Sequence, residues 1–172
     1  VQTLPYVTAL QRDPQPLRIA LVEQLGPWPT SPQSLQAVGE AARLCESLGH
    51  RVEPVNLPVV LPEFLDQVFT IIGASTRHYV DLLGQMRGFA VQAEELEVRT
   101  RIILRDKGNV SGAQYAAAVE WIHTLGRQLA TFMHDYDLIL TPVLTREPVP
   151  IGELDVEDVC MSLDQLLERY HS

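Results

Sequence analysis

The sequence predicts an α/β fold: a strand–helix–strand unit, a helical insert, then a further strand. Three observations predict it. Leu17-Arg18-Ile19-Ala20-Leu21-Val22 and Asp137-Leu138-Ile139-Leu140-Thr141 are short, mainly apolar runs that stop at turn residues, as buried strands do. The segment from Ser31 to Gly49 instead carries apolar residues at spacings of three and four, the period of a helix with one buried stripe. Arg51-Val52-Glu53-Pro54-Val55 follows it closely enough to complete a right-handed crossover between parallel strands.

Each element has its own signals. The first strand comes after Asp13-Pro14 and Pro16 and ends before Gly26-Pro27. The helix after it opens with Ser31 as N-cap and Pro32 as first helical residue. Leu35, Val38, Ala42, Cys45 and Leu48 form its stripe, which makes Cys45 a buried thiol, and Gly49 is the expected residue beyond its end. In the second strand Val52 and Val55 point inward, and Pro54 places it near an edge or a strand end. Pro58 and Pro62 bracket a loop. A helical pattern then runs from Glu63 through Phe64, Leu65, Val68, Ile71, Ile72, Tyr79, Leu82 and Leu83, and Gly84 and Gly88 break it. A second helical stretch covers Val91–Leu104 and ends in the turn-like Asp106-Lys107-Gly108-Asn109. Ser111, with Gln114 three residues later, is a capping box that opens a third helix. Tyr115, Ala118, Val119, Ile122, Leu125, Leu129 and Phe132 form its apolar face, and it feeds the strand that Pro142 ends.

The 172 residues are 46% apolar and 20% charged, enough for one core. A formal net charge of −9 argues against nucleic-acid or membrane-surface binding. Glu94-Glu95-Leu96-Glu97 is the one tight acidic cluster and reads as a solvated helix start. No apolar run reaches the roughly 20 residues of a membrane span. Cys45 and Cys160 form no metal-binding or disulfide pattern, which favours a reducing, cytoplasmic compartment. Val1–Pro5 has neither an initiator Met nor a signal pattern, and Tyr170-His171-Ser172 stops in a helical pattern. The expectation is a single α/β unit over residues 1–172, cut from a larger domain at both ends.

The chain carries little that can do chemistry. Glu23–Thr30, where a phosphate-binding turn would lie, contains one Gly and two Pro, so a dinucleotide or P-loop site fails there. No cofactor motif is present. His123 and His134 share a helix side but stand about 16 Å apart at 1.5 Å per residue, so they do not hold one metal, and His50, His78 and His171 lie in no motif. Ser31 and Ser111 are caps; Ser34, Ser47, Ser75 and Ser162 lack a nucleophile signature. Lys107 is the sole lysine and reads as a solvated turn residue beside an acid. Asp135 and Asp137 flank Tyr136 at the amino end of the last strand, the wrong end for an α/β site, and read as structural. At its carboxyl end Thr141, Pro142 and Val143 can line a pocket wall without catalysing anything.

Three ordered blocks resemble the C-terminal part of the amidase-signature enzymes: Leu17–Val22; Ala42-Arg43-Leu44-Cys45-Glu46-Ser47-Leu48-Gly49-His50-Arg51-Val52-Glu53; and Tyr136-Asp137-Leu138-Ile139-Leu140-Thr141-Pro142 with Pro148-Val149-Pro150-Ile151-Gly152 after it. Leu96–Arg101, Gly108, Tyr115 and Gly126-Arg127 are similar to the branch that contains 6-aminohexanoate-cyclic-dimer hydrolases. The resemblance implies part of that family's mixed sheet flanked by helices, and a parent protein that hydrolyses small-molecule amides. The family's lysine and paired serines in a Gly/Ser-rich signature have no match here. The resemblance therefore implies hydrolase ancestry without the catalytic machinery, and Thr141, Pro142 and Val143 as part of the acyl-pocket wall. The alternative is an independent, non-catalytic α/β binding module. A fragment of a larger sheet keeps apolar surface, so self-association is expected, through the open sheet edge or the helix carrying Phe64, Leu65, Val68, Phe69, Ile71 and Ile72.

Overall fold

The computed structural model describes residues 6–11, 13–157 and 160–171. The expectation of cut ends rests partly on Val1–Pro5 and Ser172, which lie outside the described residues. After a single helical turn, α1 (Tyr6–Ala9), the chain forms β1 (Arg18–Leu21), α2 (Pro32–Ser47) and β2 (Arg51–Pro54). The helical insert follows as α3 (Leu61–Arg87), a 3-10 turn at Ala93–Glu95, α4 (Val98–Lys107) and α5 (Gly112–Phe132). β3 (Leu138–Leu140) and α6 (Leu163–His171) complete the order.

The three strands form one parallel sheet in the order β2-β1-β3. The first strand is thus the central one. Ile19 sits between Val52 and Leu138, and Leu21 between Pro54 and Leu140. Covered on both edges and both faces, Ile19, Ala20, Leu21 and Val22 are all buried, which is why this segment reads as a continuous apolar run. Val38 and Ala42 of α2 pack on Leu21, with Val52 and Leu140 beside them. Each fully buried aliphatic side chain there contributes about 1.5–3 kcal/mol.

Ser31 and Pro32 start α2 as expected: the Ser31 side chain accepts the amide of Ser34. Gly49 follows with φ near +90°, a conformation that L side chains rarely adopt. The stripe of α2 is narrower than predicted. Val38 and Ala42 are buried, Cys45 is half-buried, and Leu48 faces solvent.

A second core joins helices. Ile102 of α4 and Leu163 and Leu166 of α6 are buried together, with Phe69 of α3 against them. α3 and α4 approach closely because position 73 is glycine; a methyl group there would collide with the backbone of Lys107. The expected break at Gly84 does not occur. α3 runs through it to Arg87 and ends at Gly88, whose φ is +80°. Gly84 is buried, and a Cβ would lie 3.3 Å from the carbonyl oxygen of Phe89. Close packing there outweighs the roughly 1 kcal/mol that a helical glycine costs. The expected helix over 91–104 is a 3-10 turn and a separate helix, split at Leu96-Glu97. Gln92 and Glu95 cap that turn reciprocally, so the acidic cluster does open helical structure.

β3 also departs from expectation. It is an edge strand, and Leu138 and Ile139 are 50% and 37% exposed. Apolar composition marks it as a strand but does not say whether its far side is covered.

Candidate functional site

In an open parallel sheet, ligands bind beyond the strand carboxyl ends, where neighbouring strands lead away in opposite directions. β1 connects towards β2, and the chain from β2 returns across β1 to β3. The switch therefore falls between β1 and β3. A cleft of about 320 Å³ lies there, lined by Thr141, Pro142 and Val143, the last 95% exposed, together with Trp28, Leu61 and Leu65. The sequence reading named these three residues as a candidate wall. It did not connect them with Trp28, although a tryptophan in the loop after the central strand was a usable signal.

Local hydrogen bonds fix both walls. Val22 N–H donates to the carbonyl of Leu140 at 2.9 Å, extending the ladder to the cleft floor. Ser31 donates its N–H to the carbonyl of Thr145 at 2.6 Å and its hydroxyl to Glu147 at 2.9 Å. The residue that caps α2 thus also ties the loop after β3 to the loop after β1. The hydroxyl of Thr30 donates to the carbonyl of Glu23 at 2.7 Å and closes the β1 loop on itself.

A second cleft of about 420 Å³ adjoins the first, and Trp28 and Leu65 line both. Phe69, Leu163 and Leu167 continue its apolar wall, and Asp66 and Lys107 lie on it. Lys107 corrects the sequence reading. It is the last residue of α4, its side chain is only 22% exposed, and its ammonium donates to Asp66 and reaches Thr70 Oγ1 at 3.4 Å. The partner lies 41 residues away on another helix, which local sequence does not reveal. This lysine is an ion-paired helix end rather than a solvated turn.

None of the described hydrogen bonds joins Lys107 to a serine. Ser111 caps α5 with Gln114 as expected. Ser162 caps α6 with Gln165, a box that was visible in Ser162-Leu163-Asp164-Gln165. Ser47 donates to the carbonyl of Leu44, and Ser75 lies within α3. His50 accepts the backbone N–H of Leu17 at Nδ1, 3.2 Å away. His123 stands 4.0 Å from Glu120 on the surface of α5.

Asp135 and Asp137 are structural, as read. Asp137 exchanges two bonds with Arg18, accepting its N–H at the side chain and donating its own N–H to the Arg18 carbonyl, each at 2.8 Å. Asp135 stands 3.8 Å from the Arg18 guanidinium, which also lies over the Tyr136 ring. These contacts lock the amino ends of β1 and β3, the end opposite the cleft.

Away from the cleft mouth, Glu95 and Asp106 have lowered pKa values. The side-chain hydrogen bond from Arg87 holds Glu95 below its ordinary range, helped by the N–H of Gln92. Asp106 is lowered chiefly by Arg105 and secondarily by the N–H of Leu163. The Arg87–Glu95 pair ties the end of α3 to the 3-10 turn, whereas Asp106 pairs with its neighbour Arg105 on α4 and reaches α6 through the Leu163 N–H.

The parallel sheet, the cleft beyond its carboxyl ends and the helical insert together define an α/β unit. The chain belongs to the amidase family, whose profile matches residues 2–169. It is 31% identical over 153 residues to "Putative amidase AmiC" of Mycobacterium leprae, covering 89% of this chain and 32% of that protein. It is 24% identical over 155 residues to the 6-aminohexanoate-cyclic-dimer hydrolase of a Pseudomonas species, covering 87% and 31%. Among solved structures, 6-aminohexanoate cyclic dimer hydrolase superposes with a TM-score of 0.83 at 22% identity, over 99% of this chain and 38% of that one. A bacterial aryl acylamidase of the amidase-signature family superposes at 0.72, also at 22% identity, over 92% and 32%. The chain spans about a third of the length of the curated relatives it matches.

Proposed function

We propose that this chain is the C-terminal part of an amide hydrolase. It supplies sheet and one wall of the acyl pocket, and the Ser-Ser-Lys machinery belongs to other parts of the parent protein. The observation that carries this reading is the switch-point cleft, which Thr141, Pro142 and the exposed Val143 line together with the apolar Trp28, Leu61 and Leu65. Such a wall suits the acyl portion of a small amide. The described hydrogen bonds provide no serine with an activating base beside it, so the chain alone is inactive on this reading. Membership of the amidase family supports the reaction class. The negative net charge supports a small-molecule rather than a nucleic-acid partner. The unbridged thiol of Cys45 suits the cytoplasm.

The test is a steady-state assay over a series of linear amides that differ in acyl length. In the parent protein, Val143→Arg narrows the cleft and is expected to raise KM about tenfold for long acyl groups, with the shortest amide little affected. The isolated chain is expected to give no turnover above buffer. An unchanged acyl-length profile in Val143→Arg overturns the pocket-wall role. Turnover by the isolated chain that survives repurification and disappears in Lys107→Ala or Ser75→Ala overturns the division of labour.

A further inference from the structure

The residues from Thr141 to Leu144 form a short strap between two fixed points. At one end the carbonyl of Leu140 accepts the N–H of Val22 at 2.9 Å, which continues the β1–β3 ladder. At the other the carbonyl of Thr145 accepts the N–H of Ser31 at 2.6 Å. Between them the chain is neither helix nor strand, yet it is stiff. Pro142 fixes its own φ at about −65° and restricts Thr141 before it to extended backbone. A stiff strap goes where its anchors hold it, and this one carries Thr141, Pro142 and Val143 along the cleft.

Ser31 does more than cap α2. Its hydroxyl accepts the Ser34 N–H at 3.2 Å, which is the capping bond, and donates its proton to Glu147 Oε1 at 2.9 Å. The Ser34 hydroxyl stands farther off, at 3.3 Å, and a carboxylate is the stronger acceptor. The amino end of α2 also favours a negative charge where Glu147 sits. The carbonyl of Ser31 accepts the N–H of Leu35 at 2.9 Å, so the helix grips this residue firmly. α2 in turn rests on the sheet through Val38 and Ala42. Support therefore passes from the sheet through α2 to Ser31, and from Ser31 at two points to the strap. A cap by itself needs only the bond to Ser34.

We propose that Ser31 and Glu147 are positioning residues that set the width of the acyl pocket and hence the discrimination between amides of different acyl length. This rests on the reading of the cleft as an acyl-pocket wall. The cleft lining contains neither residue; both act through the strap.

The test is made in the parent protein. Glu147→Ala removes the strap contact and leaves the cap intact. Ser31→Asp keeps an acceptor for the Ser34 N–H but has no proton to donate and repels Glu147. Ser31→Thr keeps both bonds. A looser wall discriminates less. In Glu147→Ala and Ser31→Asp the ratio of kcat/KM between the most and least favoured acyl lengths is expected to fall about threefold or more, carried by KM. Ser31→Thr is expected to retain the parental ratio, and the effects of Ser31→Asp and Glu147→Ala are expected not to add. Hydrogen–deuterium exchange gives a readout independent of turnover: amides of residues 143–147 are expected to exchange faster in both variants, and those of residues 36–47 in α2 are not. An unchanged selectivity ratio in Glu147→Ala, a Ser31→Thr variant as impaired as Ser31→Asp, or faster exchange in α2 rather than in the strap would each overturn the positioning role. Those results leave the pocket wall standing where Val143→Arg alters the acyl-length profile. An unchanged profile in Val143→Arg overturns both.

Discussion

The imidazole of His50 accepts the amide of Leu17, and the carbonyl of Leu17 accepts the amide of Arg51 at 2.8 Å. The residue after the turn at Gly49 therefore aligns the first residues of two strands. Removing the acceptor leaves the Leu17 N–H unsatisfied in a half-buried position, a loss of about 1 kcal/mol. His50→Ala is expected to lower Tm by about 2–4 °C, measured by differential scanning calorimetry. An unchanged Tm would mean that water replaces the ring. The sequence exposed this histidine through its place in the Gly49-His50-Arg51-Val52-Glu53 block but gave it no task, because its partner lies 33 residues earlier. Lys107 was misread for the same reason. Ser31 and Ser111 were read correctly because a cap and its partner are three residues apart. Within a chain, pairings inside one helical turn can be read directly, whereas those between elements wait for the fold.

Helix contacts in the insert rest on two small features. Gly73 lets α3 meet the end of α4, and Gly73→Ala would push a methyl group into the Lys107 backbone. The expected loss is about 1–3 kcal/mol, larger than the alanine's gain in helix propensity of about 1 kcal/mol. A lower urea midpoint with an unchanged m-value checks it. The second feature is Asp106, which accepts the Leu163 N–H at 2.8 Å and so holds the first turn of α6. Its folded pKa lies below the ordinary 3.8. The stability it contributes is fully present above that value and is lost as pH falls through the lowered one. Amide exchange in α6 is expected to rise on acidification below about pH 4, before exchange in β1 does. Asp106→Asn keeps the shape and should flatten this response. The strands divide in the same way. Leu21→Asp places a charge in the buried centre and should abolish cooperative unfolding. Ile139→Asp, on the exposed edge, should cost much less than Leu21→Asp. Equal losses in thermal melts would mean that β3 is covered. Run length and the turn residues that end each run identified both strands, but neither distinguishes the middle of a sheet from its edge.

Taken whole, the molecule divides at the sheet. The locked amino ends carry Arg18, Asp135 and Asp137, and the open carboxyl ends carry two adjoining clefts that share Trp28 and Leu65. The order β2-β1-β3 has a further consequence in time. β1 can pair with β2 as soon as the short α2 crossover is complete. Its other edge must wait for Leu138, and the Arg18–Asp137 contact that starts this ladder spans 119 residues. At 5–20 residues per second during synthesis, that edge stays open for about 6–24 s. A contact so distant in sequence also carries a large loop-closure cost. Docking of β3 is thus expected to limit the refolding rate, with the β1-α2-β2 unit forming earlier. Leu140→Ala should then slow folding, and Val38→Ala, in a unit already formed, should slow it to a similar extent per unit of lost stability. Stopped-flow refolding distinguishes the two orders: if Leu140→Ala changes only the unfolding rate, β3 docks after the barrier and the central strand crosses it with one edge bare.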